Sequence, residues 1–431
     1  MSLSIVGIVI GLVLIMLLVY KRISIIAASL IAGIVVALFS QLNVIEALTS
    51  NWAVSFANFF KSNFLIFALS ALFGKIMEDT GAAAAFAKVI YRLLGNKYAV
   101  YGCMLATGIM VYGGISAFVV IFTVYPIFMS VMKQADIPRR FVPALIFGTT
   151  CTWSSCMLPG SIATQNLIPT NYLPTTAMAA PIVGIACGLV TMVLTVIYFN
   201  HRFAQAKKNG EHFETTPQIE GLIKSLEEDK IQKRWLSIIP MAVMLIALNV
   251  FKLHAIYALL IGCVLCAAMF WKNLENKLST LNVGLANTGD AIINTSAAVA
   301  FGGVVQGVSG FGTLVNAMIG LGGSPLISFG LGTTILAGVC GSGAGGLGIA
   351  MQSLVPRYLE MGVNPEILHR VATVACIGLD SLPHCGLVVT MISYCGLTYK
   401  ESYRDIFVVS VIITLIALVV AIALGSALYP I

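Results

Sequence analysis

Two ionisable residues one helical turn apart, Asp380 and His384, lie in an apolar part of the chain. Residues at this spacing project from one face of a helix that continues through them. Ionisable groups are costly inside apolar membrane segments, which makes them candidates for function. Histidine titrates near neutral pH, and a neighbouring carboxylate shifts that titration. We therefore predict that the pair binds and releases a proton; a buried structural ion pair is the alternative.

Two further acids, Glu78 and Asp79, directly precede the pair Thr80-Gly81 in the first half of the chain. They are predicted either to take part in proton coupling or to be solvated residues at a turn. The sequence leaves both interpretations open.

Glycine is concentrated in one region, because sixteen of the 40 lie between Phe301 and Ala350. We predict a hairpin tip at Ser309-Gly310 and an unwound helix at Gly341-Ser342-Gly343. Broken backbone at membrane depth persists only when it is buried in protein or lines a watery cavity. The helix N-termini at such breaks offer free N–H groups to a carboxylate. Helix packing through small residues is the alternative explanation.

The first half carries matching breaks, and a third pair of breaks contains proline beside polar residues. A proline frees the carbonyl four residues before it, which can then bind a hydroxylated substrate or a cation; a simple kink is the alternative. The predicted substrate-binding residues are Thr80, Gly81, Gly113, Gly114, Ser116, Gly160, Ser161, Ser309, Gly310, Gly341, Ser342, Gly343 and His384. No Arg or Lys is evident at these breaks, so we expect N–H dipoles and hydroxyls to hold a small, singly charged anion.

The composition requires a membrane to surround these residues. The chain is 59% hydrophobic and 10% charged, with a mean hydropathy of +0.97, and its charges separate twelve apolar runs, most of membrane-spanning length. The net charge of +7 reflects Lys and Arg beside these runs and does not indicate nucleic-acid binding. No HExxH, GxSxG or Cys/His cluster is present, so we predict neither an enzyme nor a metal site.

A polar stretch at 200–234 separates two halves, 1–199 and 235–431. Residues 71–90 align without gaps on 300–319 with four identities, and the later glycine breaks follow in the same order. We predict an all-α polytopic protein of two inverted repeats, each with a re-entrant hairpin, at 63–93 and at 290–321, and a broken transmembrane helix. The stretch at 200–234 is then a cytoplasmic linker.

Basic residues predict the orientation in the membrane, since they favour the cytoplasmic side. With the N-terminus outside and ten crossings, sixteen of the 24 Lys and Arg fall inside. Five crossings in each half is an odd number, so the halves have opposite orientation. We predict a multi-pass protein of the plasma (inner) membrane.

At these motifs the chain resembles the gluconate permease family of gluconate:proton symporters, within the ion transporter superfamily. The resemblance covers both halves and is strongest at 341–350, at 381–386 and at 395–403, where it is closest to the 3-hydroxybutyrate permease branch. It implies a substrate held between hairpin tips and broken helices, proton coupling, and a homodimer with an elevator-like mechanism.

We therefore predict a symporter that takes up a small hydroxylated carboxylate, such as 3-hydroxybutyrate or gluconate, together with protons. No cofactor is expected beyond the coupling ion. Sodium is the alternative coupling ion, because unwound carbonyls also suit a hard cation. A channel is a further alternative.

Overall fold

The computed structural model describes residues 2–21, 23–93, 98–115, 117–225, 234–313, 324–383 and 385–430. Within these ranges the regular elements are all helices, which confirms the all-α prediction. The longer ones are α1 (Ser2–Tyr20), α2 (Ile25–Phe39), α3 (Val44–Asp79), α4 (Ala82–Leu93), α5 (Ala99–Tyr112), α6 (Ala117–Ala135), α7 (Val142–Thr150), α8 (Pro181–Lys208), α9 (Pro217–Ser225), α10 (Ile238–Asn249), α11 (Ala255–Met269), α12 (Lys277–Ala286), α13 (Thr288–Gln306), α14 (Pro325–Cys340), α15 (Gly343–Ser353), α16 (Pro365–Ala375), α17 (Gly386–Tyr394) and α18 (Tyr399–Leu428).

Three of the described helices, α3, α8 and α18, are long and apolar enough to cross a membrane individually. Seven shorter apolar helices accompany them. Many Leu, Ile and Val side chains on these helices face outward, including Leu189 on α8 and Val419 on α18. Outward-facing apolar side chains on helices of this length are what a bilayer requires, because lipid replaces water as their solvent.

Helix α3 runs further than the sequence predicts. Asn43 starts it, because its side chain accepts the N–H groups of Ile45 and Glu46. A π-helical turn occupies Ala47–Trp52, and the helix then continues to Asp79. The predicted hairpin at 63–93 therefore consists of the end of a long helix, a turn at Thr80-Gly81 and the shorter helix α4.

Helices α12 and α13 together run antiparallel to α3 along most of its length. At one end the Thr280 hydroxyl donates to an Asp79 carboxylate oxygen over 2.6 Å. At the other end Gly307 lies against the Asn51 side chain. The 28 residues between Asn51 and Asp79 correspond to about 42 Å of helix, so the first turn and the predicted tip at Ser309-Gly310 lie at opposite ends of this pair.

The two halves contact each other reciprocally. Helix α2 of the first half packs against α13, and α11 of the second half packs against α3. The last helices of the halves, α8 and α18, also pack antiparallel, and the Cys187 thiol donates to the Ala417 carbonyl over 3.3 Å. The core is therefore shared between the halves.

A buried ion-pair network holds α8 to α18. Asp405 is fully buried, and its carboxylate contacts Arg202 Nε at 2.6 Å and Arg140 at 3.4 Å. The Tyr198 hydroxyl donates to the same carboxylate over 2.6 Å. Among the described residues, the ion-pair and hydroxyl partners of Asp405 come from α8 or from the chain before it, so this side chain joins α18 to the first half and the start of the linker.

We expect Asp405→Asn to reduce the stability of the folded protein strongly. Removing one partner of a buried ion pair typically costs about 3–5 kcal/mol, because the remaining charge stays buried. The measurement is the loss of monodisperse protein on heating in detergent. Glu360→Gln is the control, since the Arg357–Glu360 pair is exposed and such pairs contribute about 0–1 kcal/mol. Equal melting of the two variants would contradict the prediction.

Helices α14 and α15 cross closely beside the Gly341 break. A Cβ added to Gly346 would overlap the Ala337 backbone, which cannot move aside as a side chain can. We expect Gly346→Ala to destabilise the protein by about 1–3 kcal/mol or more through overpacking. Gly386→Ala is the matched control, because a Cβ at Gly386 meets no atom within 4 Å. Thermal unfolding of both variants in detergent checks this; similar melting curves would show that the crossing tolerates the methyl group.

Candidate functional site

The break between α14 and α15 lies where the sequence places an unwound helix. Gly341 ends α14 with a φ of 56°, a left-handed conformation that glycine adopts without strain. Ser342 caps α15, and its hydroxyl accepts the Gly345 N–H over 3.2 Å. The N-terminus of an eleven-residue helix therefore points into the protein interior.

Asp380 lies at this helix N-terminus. Its carboxylate lies against the Gly343 backbone, where an added Cβ would be 2.9 Å from Asp380 Oδ2, and it accepts the hydroxyl of Ser381 over 2.7 Å. The side chain is only 7% exposed, and no ion-pair partner for it is found among the described residues. The Asp380 carboxylate therefore occupies the helix N-terminus at which a substrate carboxylate is predicted to bind.

Elements of both halves pack together near this carboxylate. Helix α16, which precedes Asp380, packs against the π-helical turn Trp153–Met157 of the first half, and α15 packs against Thr164–Leu167. Gly160-Ser161 lies between these two first-half segments in the chain. The breaks of the two halves therefore belong to one packed region.

The predicted residues of the first half form a second cluster around Tyr112, the last residue of α5. The Tyr112 hydroxyl donates to the Pro159 carbonyl over 2.7 Å. The Tyr112 carbonyl accepts the Ser161 hydroxyl over 3.3 Å and the Ile162 N–H over 3.0 Å. These bonds join the Gly113-Gly114 break to Gly160-Ser161.

Other side chains satisfy backbone groups that the breaks leave free. Asn249 donates to the Gly160 carbonyl over 2.9 Å. In the second half, the Tyr399 hydroxyl donates to the Pro383 carbonyl and the Tyr403 hydroxyl donates to the Ser381 carbonyl. These carbonyls are therefore engaged in this conformation, and a ligand that bound them would displace the side chains.

Arg370 on α16 corrects the expectation that no basic side chain lies at the breaks. It is fully buried. Its guanidinium donates to the carbonyls of Cys156, Met157, Ala177 and Ala179 and to the Asn166 amide oxygen, over distances of 2.8–3.3 Å. These acceptors occupy its five N–H groups, so Arg370 shapes the first-half break and has no donor left for an anion.

A run of hydroxyl residues before Cys156 also belongs to the site. It comprises Thr149, Thr150, Thr152, Ser154 and Ser155, all of them buried. Four of these hydroxyls donate to carbonyls four or five residues earlier, and a π-helical turn follows at Trp153–Met157. Turns of this kind are frequent at functional sites. Five hydroxyl residues within seven positions of an apolar segment are the sequence signal that could have indicated this part of the site.

Other predicted residues lie away from this centre. Glu78 and Asp79 pair with Lys75 at 3.4 and 2.8 Å. Thr80 is buried and donates to the Ile76 carbonyl of its own helix, and Gly81 completes the turn. This position at the end of α3 fits the structural alternative for the two acids.

The tip at Ser309-Gly310 lies near the Asn51 end of α3, opposite the turn at Thr80-Gly81. Ser309 is exposed, and the Gly310 N–H donates to the Ser4 hydroxyl of α1 over 3.0 Å. Ser116 and His384 lie outside the described residues, so the predicted Asp380–His384 pair stays a prediction. Among the described residues, no group of three or more His, Cys, Asp or Glu side chains is placed to hold a metal ion.

The fold resembles two solved transporter structures. The Alcanivorax borkumensis YdaH transporter superposes with a TM-score of 0.57 at 14% identity, covering 89% of this chain and 88% of that one. Neisseria gonorrhoeae MtrF, described as illuminating a class of antimetabolite efflux pumps, gives a TM-score of 0.59 at 13% identity, covering 90% and 84%. At these identities the likeness shows the fold alone.

Sequence comparison identifies the family. The chain is 32% identical over 454 residues to a protein of Bacillus subtilis (strain 168) named "Uncharacterized transporter YxjC", covering 94% of this chain and 96% of that protein. Residues 13–283, more than half of the chain, match the CitMHS family, described as citrate transporter. The helical membrane fold is consistent with both matches. The chain therefore belongs to the CitMHS citrate transporter family and is a transport protein, not an enzyme.

Proposed function

We propose that this transporter is a proton-coupled symporter for a small hydroxylated carboxylate, such as 3-hydroxybutyrate or gluconate. The observation that carries the proposal is the position of Asp380 on the N-terminus of α15, where its carboxylate lies against the Gly343 backbone. A helix N-terminus binds a substrate carboxylate through its free N–H groups. Asp380 and the substrate therefore compete for one place.

This competition supplies a coupling mechanism. When Asp380 is ionised, its negative charge occupies the helix N-terminus and repels a second carboxylate. Protonation removes that charge, so that the substrate carboxylate can take the place of Asp380 at the helix N-terminus. The hydroxyls of Ser342 and Ser381 lie beside this position for a hydroxylated substrate. Uptake then requires a proton and increases as the external pH falls.

The charge of the site favours a substrate with one carboxylate. Among the described residues, the buried guanidinium nearest the breaks is that of Arg370, whose donors are all engaged. One helix N-terminus carries about half a positive charge, which suits one carboxylate better than three. The family description names citrate, which carries three carboxylates. We propose instead a specificity like that of gluconate permeases, for a substrate with one carboxylate, and citrate is the alternative substrate.

The architecture proposed with this function is two inverted repeats with re-entrant hairpins, working as a homodimer by an elevator-like movement. The antiparallel packing of α3 with α12–α13 and of α8 with α18 supports the inversion, because these are the corresponding helices of the two halves.

We place the protein in the inner membrane with its N-terminus outside and residues 200–234 in the cytoplasm. Labelling of single cysteines introduced at Ser2 and Glu214 with an impermeant maleimide, in a variant without the native cysteines, tests this orientation.

Purified protein in proteoliposomes tests the function. An inward proton gradient of one pH unit supports about tenfold accumulation for a 1:1 symporter. We expect labelled 3-hydroxybutyrate or gluconate to accumulate, with citrate weaker. Accumulation of none of the three would refute the carboxylate proposal, and accumulation of citrate alone would refute the specificity. Replacing sodium by choline at fixed pH separates proton coupling from the sodium alternative.

A further inference from the structure

An apolar cavity lies between α1, α13, α14 and α15, away from the breaks. Its volume is about 110 Å³. The walls include Ile8 and Leu12 of α1, Phe301 of α13 and Ile335 of α14, and they are carbon-lined except at Ser353. Apolar protein cavities of about 150 Å³ stay free of water and bind small hydrocarbons. The cavity therefore suits an apolar group of a few carbon atoms.

The cavity contains one polar group without a partner. Ser353 is 6% exposed, and among the described residues its hydroxyl has no hydrogen-bond partner. A buried hydroxyl left unbonded costs about 1–3 kcal/mol. A ligand with an apolar chain and one hydrogen-bond acceptor would occupy the cavity and satisfy this hydroxyl.

The cavity is accessible from the lipid-facing surface. Ile335 on its wall is 50% exposed, and the neighbouring face of α1 exposes Val9 and Val13. In a membrane helix bundle, outward-facing side chains of this kind contact lipid acyl chains. An occupant can therefore enter sideways from the bilayer.

The depth of Ser353 matches the ester region of a lipid. Ser353 is the last residue of α15, and the short helix Val355–Glu360 that follows it carries the exposed Arg357–Glu360 ion pair. The headgroup layer on each side of the hydrocarbon core is about 5–8 Å thick. Ser353 therefore lies near the boundary where the ester carbonyls of phospholipids reside.

We propose that this cavity binds the few carbon atoms next to the ester group of one acyl chain of an ester-linked phospholipid, with the lipid's ester carbonyl accepting a hydrogen bond from the Ser353 hydroxyl. The rest of the acyl chain stays in the bilayer. The site is separate from the substrate site, so its test does not depend on transport.

Photo-crosslinking in nanodiscs tests the proposal on the full chain. A phospholipid with a diazirine in its acyl chain should label peptides of α1, α14 and α15 in the wild-type protein. Leu12→Trp fills the cavity and should lower this labelling about tenfold. The reason is that the lipid loses apolar contact area with the cavity walls worth about 1.4 kcal/mol or more. Val13→Trp is the matched control, because Val13 is 45% exposed and does not line the cavity, and its labelling should equal that of the wild type.

A second arm tests the hydrogen bond. In competition with the photolabel, an unlabelled ester phospholipid should be about fivefold more effective than its ether analogue, since the ether lacks the carbonyl and a hydrogen bond contributes about 1 kcal/mol. Ser353→Ala should remove this preference. Equal labelling of Leu12→Trp and Val13→Trp would overturn the site, and an unchanged ester preference in Ser353→Ala would overturn the role of Ser353. Crosslinks between two protein chains at α1 and α14 would instead identify a second copy as the occupant.

Discussion

Asp380→Asn is expected to abolish proton-driven accumulation while leaving the protein folded. Asparagine keeps an oxygen that can accept the Ser381 hydroxyl in the same position beside Gly343, but it neither ionises nor carries a proton. A gradient of one pH unit that supports about tenfold accumulation in the wild type should then support none. Because the competing charge is gone, substrate binding should persist and become independent of pH.

The two measurements are made on the same preparations. Counterflow of labelled substrate without a gradient reports binding and exchange, and gradient-driven uptake reports coupling. Glu360→Gln is the control, since Glu360 is exposed and pairs only with Arg357 among the described residues. If Asp380→Asn accumulates substrate like the wild type, the coupling role of Asp380 is wrong. If counterflow is also lost although the protein is folded, the competition between Asp380 and the substrate is wrong.

Arg370→Met is expected to have the largest effect on stability. The substitution leaves the buried carbonyls of Cys156, Met157 and Ala179 without the guanidinium donors that they have in the wild type. A buried polar group left without its partner costs about 1–3 kcal/mol, and several are affected together. We expect little or no monodisperse protein to be recovered from membranes.

Arg370→Lys separates charge from geometry. An ammonium group has three donors and lacks the planar fork of a guanidinium, so it can serve only some of these acceptors. The lysine variant should be recovered in reduced yield and melt below the wild type. Arg357→Met is the control, because the Arg357 side chain is 50% exposed and its pair with Glu360 lies at the surface. Wild-type melting of Arg370→Met would show that the first-half break is held by other contacts.

The positions of the breaks in the two halves were predictable from the sequence, because glycine and proline act locally. Gly341 adopts a left-handed conformation, and Gly113 ends α5; both follow from residue type. The sequence indicates both Asp380 and the Gly341-Ser342-Gly343 break as candidate site residues. It does not indicate that Asp380 lies at the N-terminus of α15.

Long-range partners were not predictable. Arg370 is an ordinary basic residue on a short amphipathic helix, and its acceptors lie about 190–215 residues earlier in the chain. Nothing in its neighbours reveals that contact. The end of α3 was likewise not predictable. Hydropathy cannot distinguish a re-entrant hairpin at 63–93 from a long helix that ends at Asp79 and is followed by a turn. The Lys75–Asp79 pair within α3 is a local contact that sequence spacing alone would have allowed.

The antiparallel pairing of α3 with α12–α13 restricts how this chain can change in length during evolution. One residue inserted into α3 would rotate the following part of the helix by about 100° and shift it by about 1.5 Å. The contacts of Thr280 with Asp79 and of Gly307 with Asn51 could not both survive that change. Insertions and deletions in relatives should therefore fall in the connections outside these helices, or occur in both helices together.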